Sequence, residues 1–194
     1  SGSAPNLLIT REFDAKAPWL LAAAHMDTVS AEGMAFDPFC GEEKDGRVLG
    51  RGACDDKGCI ASLLWALKEI RGSACPNNIA LLFSVDEEQK RGGATAFVKQ
   101  HLPLLGFVPK GVIVAEPTSL KPIVAHAGIG HFKVTARGIA AHASAPSKGR
   151  SAIKDMVKVI EALESRYIAG LSATDPLCGS AQCSINMISG GRQV

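Results

Sequence analysis

Apolar and polar positions change their spacing several times along the chain, and each change marks an element. Residues 19–24, WLLAAA, form an unbroken apolar run that is short and free of Gly and Pro. Such a run predicts a strand over 19–25 that is buried on both faces. Residues 6–12, 79–85 and 112–115 read as further strands. Between them, Ile60, Leu63, Leu64, Leu67 and Ile70 recur every three or four residues. Acidic residues open this stretch and Gly72 follows it, which predicts a helix over 56–70. A second, shorter helix is expected over 93–101. Strand and helix in alternation predict an α/β fold, a mostly parallel sheet with flanking helices.

The pattern changes after Pro117. Residues 130–137 alternate as a strand with one exposed face, Ile153, Met156, Val157, Ile160 and Leu163 mark a long amphipathic helix, and 181–188 read as one more strand. The break near 117–129 predicts two modules, 1–120 and 121–194, the second with α+β character. There is no internal repeat and no low-complexity segment.

Composition narrows the choice of partners. The chain has 194 residues, of which 46% are hydrophobic and 21% charged, as in ordinary globular proteins. Its formal net charge of +2 is not concentrated in any block, so no nucleic-acid or membrane partner is expected. No apolar stretch approaches the roughly 20 residues of a membrane span. The six cysteines include no C-x-x-C pair, and a chain of this length needs no disulfide framework. Reduced thiols in a cytoplasmic protein are expected.

The candidate chemistry lies at strand ends, where sites in parallel sheets form. The run 19–24 ends in HMD, placing His25 and Asp27 two apart on one side of an extended backbone. Residues 79–85 run into DEE (Asp86, Glu87, Glu88), 112–115 into EPT with Glu116, and GRGACDDKG places Asp55 and Asp56 just before the clear helix. Each motif alone has a plain reading: a polar strand end, or an Asp capping a helix. Together they set a histidine and several carboxylates at one sheet edge, where like charges repel unless a cation holds them. GRGACD also resembles the opening of a dinucleotide fingerprint. Its third glycine position is Asp55, whose charge would face a pyrophosphate, so nucleotide binding is rejected.

In this order, HMDTV, GRGACDDKG, DEE and EPT resemble the co-catalytic zinc metallohydrolases of the acetylornithine deacetylase, succinyl-diaminopimelate desuccinylase and aminoacylase family. HASAPSKGRSAI resembles that family's lid signature, and the likeness spans roughly residues 18–190. The resemblance implies a partial catalytic metal-binding domain over 1–120 and a partial lid and dimerisation domain over 121–194. It implies His25, Asp55, Glu88 and Glu116 as metal ligands, with Asp55 bridging two ions, Glu116 completing the site shared by His25 and Asp55, and Asp27 orienting the His25 ring. Glu87 would be the general base and Asp56 only a neighbour capping the helix. His142 would reach the active site of a partner subunit to hold the oxyanion. His126 and His131 match nothing in the family and are read as structural, and His101 as a partner of a helix C-terminus. Two zinc ions are implied per complete site, with cobalt as a substitute, because zinc accepts imidazole and carboxylate.

The implied activity is hydrolysis of a linear amide, removing a small acyl group from an amino acid such as N-acetylornithine. A dipeptidase or aminopeptidase of the same family is the alternative, and a homodimer through the lid is expected. A thiol hydrolase using Cys54, beside a helix N-terminus, and a metal-free binding module are the readings from other classes. Family members are longer, with a leading helical segment, more lid and a late histidine that completes the second metal site. The chain is therefore expected to be a fragment, or one part of a divided protein.

Overall fold

The computed structural model describes residues 4–191, so the outermost residues of both expected modules lie outside it. The chain divides into two compact units between Lys121 and Pro122. In the first unit, β1 (Leu7–Arg11) and β2 (Trp19–His25) are followed by a small hairpin, β3 (Glu43–Lys44) and β4 (Arg47–Val48). Helix α1 (Lys57–Glu69) ends in a 3₁₀ turn, Ile70–Gly72, and leads to β5 (Asn78–Ser84). Helix α2 (Gly92–Ala96) runs on through a π-helical turn, Phe97–His101, and a 3₁₀ turn, Leu102–Leu104, before β6 (Gly111–Val114).

The main sheet has the order β1-β5-β2-β6. β2 pairs in parallel with both β5 and β6, whereas β1 is antiparallel to β5 at the edge. Successive residues of β2 and β5 serve opposite faces, which explains their nearly continuous apolar character. Leu21, Ala80 and Leu82 pack with Phe97 on one face, beneath Leu102, Leu105 and Phe107. Ala22, Ala24, Leu81 and Phe83 pack on the other, against Ile60, Leu63 and Leu67 of α1. Leu64 belongs to the same periodic set but points outward, 42% exposed.

Two strands expected in the second unit are corrected. Among the described residues, 130–137 and 181–188 form no named strand. Strand pairing is non-local, and alternation yields a strand only where another backbone edge is present to accept it. Phe132, at 92% exposure, has no apolar surface opposite it. The expected helix does form: α3 (Ala152–Ala162) starts where Ser151 Oγ accepts the Lys154 amide at 3.2 Å, and it continues as a π-helical turn, Leu163–Ile168. A short hairpin follows, β7 (Thr174–Asp175) and β8 (Gly179–Ser180).

Asn78 anchors the start of β5. It is 1% exposed and fully engaged, accepting the amides of Phe13 and Asp14 and donating to the carbonyls of Asp14 and Ala17. Replacing it by Ala strands buried donors and acceptors of the turn before β2. Asn78→Ala should cost about 3 kcal/mol in a denaturant titration while leaving the acidic edge untouched. A loss below about 1 kcal/mol would show that water replaces the amide.

Candidate metal centre

The register of the parallel strands assembles the site. His25 lies opposite Ser84, the Met26 amide donates to the Ser84 carbonyl at 2.8 Å, and the Ala115 amide donates to the Ala23 carbonyl at 2.8 Å. The residues that follow β2, β5 and β6 therefore leave the sheet side by side. These are Asp27, the acidic run 86–88, and Glu116.

His25 is 2% exposed. Its Nδ1 lies 2.9 Å from the Asp27 main-chain carbonyl, which can only accept, so Nδ1 carries the proton. Nε2 is left as the outward atom, 2.9 Å from Asp55 Oδ1. The expected contact with the Asp27 carboxylate is longer, 3.6 Å. That carboxylate instead accepts the amides of Glu87 and Glu88, each at 3.1 Å. Asp27 thus orients the ring through its backbone and the acidic loop through its side chain.

Asp56 differs from the expected helix cap. It precedes α1 as expected, yet its side chain makes no cap hydrogen bond, and no acidic residue lies in the helix's first turn. It is fully buried, and its Oδ2 accepts the His25 amide at 3.0 Å. Met26 uses its amide toward β5, so the His25 amide faces the β6 side, where the ladder has ended at Val114. Asp56 supplies the missing acceptor, and its Oδ1 remains buried without a partner. The only sequence signal was the doublet itself, since one of two adjacent side chains at a turn must face inward. Gly52, at φ +77°, shapes that turn, and a Cβ there would sit 2.6 Å from Thr28 Cγ2.

Among the described residues, two trios bring one ligand atom from each member within 4.8 Å of one another: His25, Asp55 and Glu88, and His25, Asp56 and Glu116. The expected ligands are thus gathered around His25, but Glu116 is grouped with Asp56 rather than Asp55. The charges are unsettled. Partial burial, then repulsion from Asp56, raises the Glu116 carboxyl above its usual range, although its outer face stays open to solvent. Burial works against the charged His25 ring, but hydrogen bonding to Asp55 and Asp27 and the charges of Asp56 and Glu116 outweigh it and raise its pKa. For Asp27, burial is outweighed by the Glu87 and Glu88 amides, which hold its carboxyl below the ordinary value. One imidazole, several carboxylates and an unpartnered buried oxygen fit a divalent cation.

Glu87 sits apart from both trios, its Oε1 3.5 Å from Arg91 Nε. In the second unit, exposed His142 accepts the Ser144 amide at Nδ1, at 3.2 Å, which leaves Nε2–H as an outward donor. His126 and His131 are exposed, and His101 closes the π-helical turn. The described cysteines are all free thiols; Cys54 is exposed, while burial and the neighbouring Asp56 push the Cys59 thiol up to about 12.

The model of Peptidase family M20/M25/M40 matches residues 21–187. The chain belongs to this family. It is 38% identical over 149 residues to a succinyl-diaminopimelate desuccinylase of Wolinella succinogenes, covering 74% of this chain and 40% of that protein. It is 40% identical over 139 residues to an acetylornithine deacetylase of Pasteurella multocida, covering 71% and 35%. An M20 family metallo-carboxypeptidase from Sulfolobus solfataricus has the same fold, with a TM-score of 0.60 at 18% identity over 88% of this chain and 43% of that one. The chain spans about two fifths of the length of the curated relatives it matches. The family match covers every motif from His25 to His142.

Protons and a cation compete for this site. His25 has a raised pKa in the folded chain, so its protonated form contributes stability fully below pH 6.5, and that contribution is lost as pH rises through the folded pKa. A cation needs the neutral ring and should replace this contribution at higher pH. Zinc at a thousandfold excess over its pH 8 Kd should raise the melting temperature by about 10 °C at pH 8, and the same concentration by much less at pH 5.5. Equal shifts at both pH values in a melting series with and without chelator would remove His25 from the ligand set.

Proposed function

We propose that the intact protein is a zinc-dependent amidohydrolase that cleaves a small N-acyl group from an amino acid, in the manner of an acetylornithine deacetylase. The observation that carries this reading is the pair of ligand trios sharing His25 at the carboxyl ends of parallel strands. The relatives named as a desuccinylase and a deacetylase support the choice of substrate class. His25, Asp55, Glu88 and Glu116 are the proposed ligands. Asp56 has one oxygen committed to the His25 amide and only Oδ1 to offer. Zinc held there would lower the pKa of an attacking water and polarise the amide carbonyl, and cobalt would serve in its place.

The chain's own residues supply the rest. Glu87 takes a proton from the attacking water and passes it to the leaving nitrogen. Asp27 keeps the His25 proton on Nδ1 and holds the Glu87 and Glu88 amides, so ligand and base share one anchor. His142, with Nε2–H free to donate, is suited to hold an oxyanion, and we place that action across a homodimer formed by the lid. A cytoplasmic location accords with free thiols and completes the proposal.

A panel of N-acyl amino acids and dipeptides, assayed with added zinc or cobalt, tests the substrate class. Preference for dipeptides would replace the deacylase reading with a dipeptidase one. In the same assay Glu87→Gln should keep its metal while turnover falls about 10²- to 10⁴-fold. Parallel loss of metal and activity would show that Glu87 and Glu88 exchange roles.

His142→Ala should also depress turnover without loss of metal. Mixed dimers of His142→Ala and Glu87→Gln subunits should regain activity, because one of their two sites is then intact. Verified mixed dimers that stay inactive would place His142 action within one chain.

A further inference from the structure

The loop that bears Glu87 and Glu88 is fastened at several points, and one of them lies outside the acidic edge. At its crown, Asp27 accepts the two glutamate amides. Within the loop, the Asp86 carbonyl accepts the Lys90 and Arg91 amides, and Asp86 Oδ2 accepts the Gly92 amide at 3.2 Å. At the neck, the Gly93 amide donates to the Val85 carbonyl at 3.1 Å. Asn6 then clasps this neck from the residue just before β1. Its Oδ1 accepts the Val85 amide at 3.2 Å, and its Nδ2 donates to the Gly93 carbonyl at 2.8 Å.

The fit is chemically selective. The residues that begin and end the loop present one donor and one acceptor, and a primary amide answers both at once. Antiparallel pairing of β1 with β5, Leu7 opposite Phe83, delivers Asn6 to that neck. Gly93 is required as well, because a Cβ there would overlap the Val85 carbonyl and the Asn6 side chain.

We infer that Asn6 is a positioning residue for Glu87 and Glu88: an edge-strand amide that fixes the neck of their loop and with it the placement of both carboxylates. What those carboxylates do rests on the proposed function; how they are held does not. Without Asn6 the neck keeps only the Gly93–Val85 main-chain bond, and Asp27 becomes the one side chain outside the loop that still holds it. Glu88 then loses its fixed distance from His25 and Asp55, and Glu87 its orientation beside them.

Two variants and a comparator test this in the intact protein. Asn6→Ala removes both hydrogen bonds. Asn6→Asp keeps the acceptor for Val85 but sets a second acceptor against the Gly93 carbonyl. Ile9→Ala lies on the same strand, packs into the core beneath α1 and serves as the comparator. One readout is zinc affinity by titration of the metal alone. The other is amide hydrogen exchange at Glu87 and Glu88 without metal, relative to the core amides of Ala80 and Leu82. Both Asn6 variants should bind zinc about 10-fold more weakly, the scale seen when a partner that orients a ligand is removed. Their Glu87 and Glu88 amides should exchange about 10-fold faster relative to the core, because the loop that bears them opens more readily without the clasp. Ile9→Ala should lower the melting temperature while leaving both ratios unchanged. Unchanged relative exchange in the Asn6 variants, or the same selective increase in Ile9→Ala, overturns the inference. If the unaltered protein takes up no zinc, the metal-centre reading falls separately and the exchange ratio alone decides the role of Asn6.

Discussion

Parallel pairing of β2 between β5 and β6 is the constraint on which the acidic edge depends. In a parallel ladder the carboxyl ends of neighbouring strands leave the sheet on the same side. The register sets His25 opposite Ser84 and brings Ala115 to Ala23, so the three following segments emerge together. A one-residue slip would turn His25 to the other face and separate it from the carboxylates. The two packed faces hold that register, with α1 on one and the helical segment after α2 on the other.

The edge is held mainly by the backbone. The Asp27 carbonyl orients the His25 ring, the Asp27 carboxylate takes the Glu87 and Glu88 amides, and Asp56 takes the His25 amide. Each bond answers a main-chain group left without a ladder partner where a strand ends, so the same carboxylates that gather negative charge also complete the sheet. The cost is electrostatic. Glu116 is pushed toward its protonated form and His25 toward its charged form, and a divalent cation would relieve both tendencies.

Much of this was legible in the chain. The apolar run at 19–24 and the three- and four-residue repeat from Ile60 marked β2 and α1, because both patterns follow from local periodicity and burial. The acids at the strand ends were legible for the same reason, since a strand's end and its exit side come from its own sequence. The expected strands at 130–137 and 181–188 show the limit of that logic. Alternation describes one side of a partnership, and the partner is set elsewhere in the chain.

The division inside the site has the same origin. Residue types and spacing determined by themselves that a histidine and several carboxylates would meet at one edge of an α/β sheet. Whether Asp55 or Asp56 turned inward was decided by the unpaired His25 amide beyond the end of β6. Whether Asp27 met the imidazole through its carboxylate or its carbonyl was decided by the competing amides of Glu87 and Glu88, about 60 residues away in sequence. Asn6 had no signal at all, because an asparagine before an edge strand gains meaning only when β1 lies against β5. Local pattern fixes what a segment is. Hydrogen bonds between distant segments decide which of its polar atoms are free to act, and those partners exist only once the chain has folded.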